Sequence, residues 1–519
     1  MCIINYTEVF DMAGFNFAAI FTDHMVLQRN KNITVWGNAY NFTKVKIEIG
    51  GNSAEATAVG GKWTAVLPPM EAGGPYELKA TDGNGSEIIL RDVMIGEVWL
   101  AGGQSNMELE LQNSLTGKED LAALTEDVNV RFYYTQKIAY IDDYFHFAER
   151  NGSWATASPE SAKCWSAVGF YFARKLAAEL GVTVGVIGCN WGGTSASAWT
   201  GRKMLEQDSD TRSYVDEYDK TMEDKTFEGY LAELAEYEEW YNAWQPKINE
   251  YYATTPNPTW EGAQEYAGPN RWPEPLGPKS PFRPSGLYET MIKRVCPYTL
   301  AGFIYYQGES DDHKADTYYK LLKALIEQWR TDWEDDSLPF IFVQLPMFMN
   351  EGDEDFKHWC KIREAQMRVH RTTANTGIAV ALDKGEFNNI HPLDKEPVGY
   401  RLALQAMYHV YGKISADEAY GAIYKSCLCT EGGILLSFDH AKDGFDVKGE
   451  KIVGFEIAGV DKKYAPADAE IRGDKIFVRS EEVIEPLYLR YNWTNYGEVT
   501  VYSKNGIPLA PFRTSCNDA

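Results

Sequence analysis

The sequence predicts an α/β protein in which a parallel sheet is flanked by helices and a β-sandwich-like unit lies at each end of the chain. Between residues 96 and 415, strand-like apolar runs alternate with amphipathic helical stretches, an order typical of parallel sheets covered on both faces. Residues 14–95 and 416–519 consist instead of short β-rich runs separated by Gly, Pro and Asn, which favours antiparallel units. At 519 residues the chain is too long for one typical core, so two to four domains are expected.

We therefore expect three domains, with boundaries after residues 95 and 415. The N-terminal β domain (14–95) is predicted from the runs VKIEIGG, KWTAVLPP, PYELKATDGNG and SEIILRDV. The C-terminal β domain (416–519) is predicted from GGILLSFDHA, VGFEIAGV and PLYLRYNW. Because the termini of an inserted domain often lie close together, the two β units are candidates to pack against each other.

The central domain (96–415) takes its strands from the runs EVWLAG, TVGVIGCN, LAGFIYYQG, LPFIFVQLP and TGIAVALD. Its helices are predicted from amphipathic stretches such as SAVGFYFARKLAAELG. There Val168, Phe172, Leu176 and Leu180 recur at helical spacing, and Gly181 follows as the C-cap. In sheets of this kind, ligands bind beyond the carboxyl ends of the strands.

An insertion of about residues 205–284 interrupts this alternation. It is rich in Glu, Tyr and Trp and then in Pro and Gly, which predicts a helical hairpin followed by an irregular loop near the mouth of the α/β domain. Its aromatic side chains either stack on sugar rings or pack a small core of their own, and the sequence leaves both interpretations open.

Charge and hydropathy argue against several partners. The balance of 50 basic and 75 acidic residues gives a net charge of -25, which disfavours nucleic acid and anionic membranes. No apolar run reaches the length of a membrane-spanning helix. The first residues lack a basic region followed by an apolar core, so we expect a cytoplasmic chain, or a periplasmic or secreted one if the true start lies upstream. The oligomeric state is not predicted.

The stretch WLAGGQSNMELELQ, residues 99–112, places Ser105 between a strand-like run and a helix-prone run. One interpretation is an ordinary tight turn. The other is a nucleophile at a strand-to-helix junction, where the backbone N–H groups of the helix start face developing negative charge. A serine hydroxyl is a weak nucleophile, so this second interpretation requires a base and a site for the oxyanion.

Three further loops follow strand-like runs and offer those parts. NWGGTSASAW offers exposed backbone N–H groups at Gly192 and Gly193, and YYQGESD offers the amide of Gln307 as an oxyanion donor. NNIHPLDKEPVGYRLA presents His391 just before a helix, where a general base is needed. One such residue alone is more often structural, but four loops that each offer a part of an acyl-transfer site favour the enzyme interpretation.

Carboxylates in the GESDD stretch allow two interpretations. Glu309 and Asp311, with Asp312 and His313 beside them, could bind a cation, or they could support the Gln307 loop through hydrogen bonds. We expect loop support, with no metal. We also expect no cofactor, because serine acyl chemistry supplies its own nucleophile.

These stretches also carry a resemblance. GEVWLAGGQSNMELEL, CNWGGTSASAWT, YYQGESD and IHPLDKEPVGYRLA resemble the sialate O-acetylesterase family of SGNH (GDSL-like) hydrolases, and FTDHMVLQRNKNITVWGNA and GIPLAPFRT extend the likeness towards both ends. The resemblance implies an SGNH-like central domain, with Ser105 as nucleophile and His391 as base. It implies an oxyanion hole formed by the Ser105 N–H, an N–H of the Gly192–Gly193 turn and Gln307.

The chain departs from the SGNH pattern at one position. That pattern places an Asp three residues before the catalytic His, and here the residue is Asn388. The acid that orients His391 is therefore open: Asp383, Glu386 and Asp394 are candidates, and a backbone carbonyl would give a Ser–His dyad instead.

The predicted function is serine-dependent removal of acetyl groups from O-acetylated sugars, with sialic acids first and acetylated xylan as the alternative. The insertion is the expected selectivity element. Arg202, Arg271 and Arg283 are the candidates to bind the carboxylate of a sialic acid. The alternative of another class is a carbohydrate-binding protein without catalysis, and a transacylase that uses the same serine is a further possibility.

Overall fold

A computed structural model of the chain describes residues 14–125, 128–256 and 259–515. Part of the stretch on which the absence of a secretory signal was predicted, residues 1–13, lies outside the described residues. Within them, no helix combines the length and apolar character needed to cross a membrane.

The N-terminal strands form two antiparallel layers, in which β1, β3 and β6 make one sheet and β4, β5 and β7 make part of another that continues through β8. Burial alternates along β6, as expected for a strand with one buried face. The strands are Asn16–Phe17 (β1), Val26–Gln28 (β2), Ile33–Asn38 (β3), Lys44–Ile49 (β4), Asn52–Thr57 (β5), Lys62–Leu67 (β6), Gly73–Asp82 (β7) and Glu87–Gly103 (β8).

Strand β8 is 17 residues long and joins the N-terminal strands to the central sheet. Its first half pairs with β7, and its second half lies between two parallel neighbours of the central sheet. The boundary predicted after residue 95 falls within this strand, and the division into domains stays a prediction.

The central sheet contains six parallel strands in the order β9-β11-β8-β12-β13-β14, with β10 antiparallel at its edge. Strands β11 to β14 are buried along their whole length, because helices cover both faces of the sheet. The predicted mixed α/β architecture is confirmed. The strands after β8 are Val130–Tyr134 (β9), Ala155–Thr156 (β10), Val184–Asn190 (β11), Gly302–Tyr306 (β12), Phe340–Gln344 (β13) and Thr376–Val380 (β14).

The strand order reverses at β8. The chain first moves to one side of β8 to form β9 and β11, then crosses to its other side to form β12. In open α/β sheets, ligands bind beyond the carboxyl end of the strand at which the order reverses. Residue 105 follows that end of β8 by two residues.

The helices of the central region include the one predicted most clearly, which spans Ala167–Leu180. It begins where the Ser166 hydroxyl accepts the Gly169 N–H at 2.9 Å and ends at Gly181, whose left-handed φ of 65° confirms the predicted C-cap. In chain order the helices are Ser105–Glu108 (α1), Gly117–Ala122 (α2), Asp143–Glu149 (α3), Pro159–Ala162 (α4), Ala167–Leu180 (α5), Arg202–Leu205 (α6), Ser209–Met222 (α7), Phe227–Thr254 (α8), Trp260–Ala267 (α9), Lys293–Val295 (α10), Tyr318–Asp332 (α11), His358–Thr372 (α12), Glu396–His409 (α13) and Ala416–Ala419 (α14).

In its described residues the insertion forms three helices, α7 to α9, and then an irregular segment, so the predicted two-helix hairpin is wrong in its number of helices. Trp240 and Trp244 of α8 stack with ring centroids 5.1 Å apart and pack against Ala263 of α9. These aromatic side chains therefore form a small core of the insertion. Trp272, in the irregular segment, is 54% exposed and lies elsewhere.

The C-terminal strands form a second β unit with its own apolar core. It is tied to α12 of the central region: Arg363 donates to the Thr494 carbonyl at 2.5 Å, and Arg513 pairs with Glu364 at 2.8 Å. Packing of this unit on the N-terminal one stays a prediction. Its strands are Ile423–Thr430 (β15), Gly433–Asp439 (β16), Phe445–Val447 (β17), Phe455–Ala458 (β18), Ala465–Pro466 (β19), Asp468–Arg472 (β20), Lys475–Arg479 (β21), Tyr488–Tyr491 (β22), Val501–Ser503 (β23) and Phe512–Arg513 (β24).

Candidate active site

Ser105 is the first residue of α1 and follows the end of β8 by two residues. Gly103 has a φ of 137°, and a Cβ there would lie 2.1 Å from the Tyr306 carbonyl oxygen, so only glycine fits where the chain leaves the sheet. The Gln104 side chain accepts the Ser310 N–H at 3.1 Å and fixes the turn to the loop after β12. The Gly-Gly-Gln-Ser stretch thus places the serine just beyond the carboxyl end of β8.

His391 meets this serine from the loop that follows β14. Its Nε2 lies 2.8 Å from the Ser105 hydroxyl oxygen, although 286 residues separate them in sequence. Partial desolvation, and then the nearby Lys395 ammonium, lower the pKa of the His391 imidazole, while the Glu108 carboxylate opposes this shift. The imidazole therefore stays neutral, and able to accept a proton, to a lower pH than a free histidine.

The three acids expected to orient His391 have other partners. Asp383 accepts two hydrogen bonds from Arg401, at 2.6 and 3.0 Å, and Asp394 pairs with Lys384 at 2.8 Å. Among the hydrogen bonds of the described residues, the His391 ring contacts Ser105 alone. None of the three acids is hydrogen-bonded to the His391 ring in the described residues, and the choice between a dyad and a triad stays a prediction.

Glu386, the third of those acids, supports the His391 loop through other groups. One of its oxygens accepts the Asn389 amide at 2.7 Å and the other accepts the Leu393 N–H at 3.1 Å. The Asn389 side chain in turn accepts the backbone N–H of His391 at 3.0 Å. The Glu386 carboxylate thus binds residues on both sides of His391 in the chain. Asn388 has a φ of 60°, in the left-handed region.

A buried polar chain connects the two halves of the site. Asn106 donates its amide to Glu309 at 2.6 Å and to the Ile390 carbonyl at 3.0 Å, and it accepts from the Lys395 ammonium at 2.5 Å. Burial lowers the pKa of Lys395 to about 8 and raises that of Glu309. Glu309 thus contacts the residue that follows Ser105, and its expected support of the Gln307 loop stays a prediction. Asn106 and Lys395 were not among the predicted site residues, since single polar residues carry no periodic signal.

Gln307 directs its amide to protein acceptors and not to the Ser105 hydroxyl, and its expected oxyanion role stays a prediction. Its amide nitrogen donates to Asp311 at 2.6 Å and to the Thr194 carbonyl at 3.2 Å, and its oxygen accepts from Tyr318 at 2.9 Å. Both amide N–H groups of Gln307 are hydrogen-bonded to protein acceptors, and only 1% of the residue is exposed. Through these bonds Gln307 connects the loops after β11 and β12.

The Gly192–Gly193 turn lies beside Ser105, as expected. A Cβ at Gly192 would lie 3.3 Å from the Ser105 Cβ. The Gly192 N–H donates to the Glu108 carboxylate at 2.6 Å, and Glu108 also pairs with Lys137. Glu108, another residue that sequence reasoning missed, thus occupies one of the expected oxyanion donors.

The carboxylates of the GESDD stretch make hydrogen bonds to protein groups. Asp311 accepts from the Ser195 hydroxyl at 2.6 Å and the Ala196 N–H at 2.9 Å in addition to Gln307. Across the described ranges, no three His, Cys, Asp or Glu residues are grouped to hold a metal ion.

The arginines expected to bind a substrate carboxylate are already paired. Arg202 binds Asp219 at 2.5 Å, Arg271 binds Glu236 at 3.1 Å, and Arg283 binds Glu289 at 2.7 Å. Each of the three arginines has a different acidic partner, and no partner is shared between them.

Known proteins share this sequence and architecture. A family model described as carbohydrate esterase, sialic acid-specific acetylesterase, matches residues 272–403. The sialate O-acetylesterase of Mus musculus is 26% identical over 96% of this chain and 94% of the relative, and that of Homo sapiens is 25% identical over 96% and 92%. The crystal structure of a carbohydrate acetylesterase from Xanthomonas citri superposes with a TM-score of 0.76 at 29% identity, covering 96% of this chain and 99% of that one.

The family model includes the His391 loop, and the likeness to the two curated relatives extends over nearly the whole chain. The solved structure superposes over a similar share of the chain. The chain is similar over nearly its whole length to the sialate O-acetylesterase family of carbohydrate esterases, and it is a carboxylic ester hydrolase.

Proposed function

We propose that this enzyme removes acetyl groups from O-acetylated sugars with Ser105 as nucleophile and His391 as general base. The observation that carries the proposal is the 2.8 Å contact between the His391 Nε2 and the Ser105 hydroxyl at the switch point of the sheet. The curated relatives are named sialate O-acetylesterases and the solved relative a carbohydrate acetylesterase, which supports an acetylated sugar as substrate.

The reaction proceeds in two steps. The neutral imidazole of His391 takes the hydroxyl proton while the Ser105 oxygen attacks the acetyl carbonyl, and the protonated ring then gives that proton to the departing sugar oxygen. This leaves an acetyl group on Ser105. A water molecule, deprotonated by His391, attacks the acetyl-enzyme and releases acetate with the serine restored.

The oxyanion donors in this proposal are backbone N–H groups. The Ser105 N–H at the start of α1 is one, and the Gly192–Gly193 turn supplies the other. Because Glu108 accepts from the Gly192 N–H, that N–H becomes available to the oxyanion when the Glu108 carboxylate turns fully to Lys137. Gln307 contributes by fixing the loops, not by donating to the substrate.

In more detail, the proposal is that Ser105 and His391 act as a dyad without an acid and that the central domain has an SGNH-like fold. It is supported by the parallel sheet with its site at the carboxyl ends of the strands, and by the ion pairs that occupy Asp383 and Asp394. Two sugars compete as the acetyl carrier. The names of the relatives favour a sialic acid, whereas the pairing of the three arginines favours an uncharged sugar such as xylan.

Acetate release tests the proposal directly. Wild type and Ser105→Ala are compared on 9-O-acetylsialic acid, acetylated xylo-oligosaccharides and an aryl acetate, with a chelator present. We expect wild-type turnover that falls by at least about 10³-fold in the variant. Equal release from the two proteins on every substrate would refute the serine mechanism, and binding of the sugars without hydrolysis would indicate the carbohydrate-binding alternative. Acetyl transfer to a sugar in preference to water would indicate a transacylase.

A further inference from the structure

A cleft of about 380 Å³ is lined in part by Gly193, a residue of the proposed oxyanion turn. A Cβ at Gly193 would lie 2.7 Å from the Trp272 ring, so the cleft wall and the turn touch each other. Ser195, another lining residue, is held by the buried Asp311 at 2.6 Å. A ligand in this cleft therefore extends from the position of an ester bound at Ser105.

The insertion supplies two walls of the cleft. Helix α7 contributes Tyr214, Glu217, Tyr218 and Thr221, which lie at helical spacing on one face. The segment after α9 contributes Trp272, whose ring stands edge-on to Phe282 with centroids 5.6 Å apart. An exposed indole with a fixed neighbour presents a π-face that suits the C–H face of a pyranose ring.

The charged groups of the cleft are unsuited to a carboxylated ligand. Glu217 and Glu274 both line it, and Glu217 already neutralises Lys314 at 2.6 Å. The described lining residues include His313 but no Lys or Arg. Glu274 is half-buried, and burial raises its pKa to about 7, so a nearby carboxylate would add to the cost of its ionisation.

We propose that this cleft is the sugar subsite of the enzyme and that it selects an uncharged pyranose over a carboxylated one. The inference rests on the proposed acetylesterase function and names its substrate class. Trp272 would stack on the ring next to the acetylated position, and Glu274, which has no ion-pair partner among the described residues, would repel the carboxylate that distinguishes a sialic acid.

A matched pair of substrates isolates the charge. The free acid of 9-O-acetylsialic acid and its C1 methyl ester differ only at the carboxylate, and acetate release is measured from both at pH 8. We expect the kcat/KM of the methyl ester to be at least about 10-fold higher than that of the free acid. In Glu274→Gln the ratio of the two kcat/KM values should be smaller. Acetylated xylo-oligosaccharides should also exceed the free acid.

A second pair of variants tests the ring contact. Trp272→Ala should lower kcat/KM on acetylated xylo-oligosaccharides by about 10-fold, and by less on a small aryl acetate. Trp260→Ala removes an exposed tryptophan of the same insertion outside the cleft and should leave both rates unchanged.

The outcomes separate this inference from the proposed function. If the aryl acetate is hydrolysed in a Ser105-dependent manner but the free acid equals or exceeds its methyl ester, the subsite inference is wrong and the esterase stands. The same holds if Trp272→Ala behaves like Trp260→Ala. If the wild type releases no acetate even from the aryl acetate, the proposed function itself fails.

Discussion

Asn106 joins the nucleophile and the base through one amide. It follows Ser105 in the chain and binds the carbonyl of Ile390, which precedes His391. Asn106→Ala would leave Lys395 and Glu309 buried without their common partner and would release the His391 loop. Since a displacement of about 1 Å can cost 10²-fold in rate, we expect kcat to fall about 100-fold.

Asn388→Ala is the control for that variant. Asn388 carries a left-handed φ, so alanine should cost about 1 kcal/mol of stability, while turnover should hardly change, because no triad acid is lost there. Both variants are compared by kcat for the folded fraction, with Asn106→Ala also examined for its pH profile. A 10³-fold loss in Asn388→Ala, or an unchanged kcat in Asn106→Ala, would contradict these assignments.

The pH dependence should report the imidazole of His391. The base works in its neutral form, which predominates above its pKa, and desolvation and Lys395 lower that pKa. The acid limb of kcat/KM should therefore have its midpoint below about pH 6.5. Glu108 raises the pKa of His391, so Glu108→Gln should move the midpoint further down.

Glu110→Gln is the matched control for Glu108→Gln. Glu110 accepts from Gln112 and does not contact the Gly192 turn, so its substitution should leave the midpoint in place. Profiles are measured with an uncharged aryl acetate. A wild-type midpoint above pH 7, or an upward shift in Glu108→Gln, would contradict the assignment of the limb to His391.

At the scale of elements, the segment between β14 and α13 is held by two ion pairs of different burial. Asp383 and Arg401 are both below 10% exposed, whereas Asp394 is 34% exposed in its pair with Lys384. Breaking the buried pair by Asp383→Asn should cost about 3–5 kcal/mol, against about 0–1 kcal/mol for Asp394→Asn. Chemical denaturation gives the two values.

The kinetics of the same two variants complete the test. Because neither carboxylate contacts His391, both should retain wild-type kcat per folded molecule. A large loss of kcat in either variant without a loss of stability would identify that residue as the acid of a triad and would refute the dyad.

The sequence predicts the elements better than it predicts their polar connections. The strands of the central sheet and α5 are apolar runs or regular stripes bounded by Gly, so their positions follow from periodicity. In the 28 residues of α8, aromatic and acidic residues are mixed around the helix, which obscured its length and the presence of α9. Ser105 and His391 could be proposed because each follows a predicted strand. The hydrogen bonds that occupy Gln307 depend on loop placement, which spacing does not encode.

At the scale of the molecule, the net charge of -25 acts on any charged substrate. The field of an acidic protein opposes the approach of an anion, and salt screens this repulsion. Raising the ionic strength from about 20 to about 200 mM should therefore increase kcat/KM for 9-O-acetylsialic acid about 2-fold or more, with little change for its methyl ester. A parallel response of the two substrates would show that long-range repulsion does not govern the encounter.

The continuity of β8 limits how the chain can be truncated or divided. A single uninterrupted strand carries the pairing of the N-terminal sheet at one end and delivers Ser105 at the other. Removing or exchanging the N-terminal β unit would break the hydrogen bonds between β7 and β8, the strand that precedes the nucleophile. The N-terminal unit therefore shares a strand with the part of the structure that positions the serine.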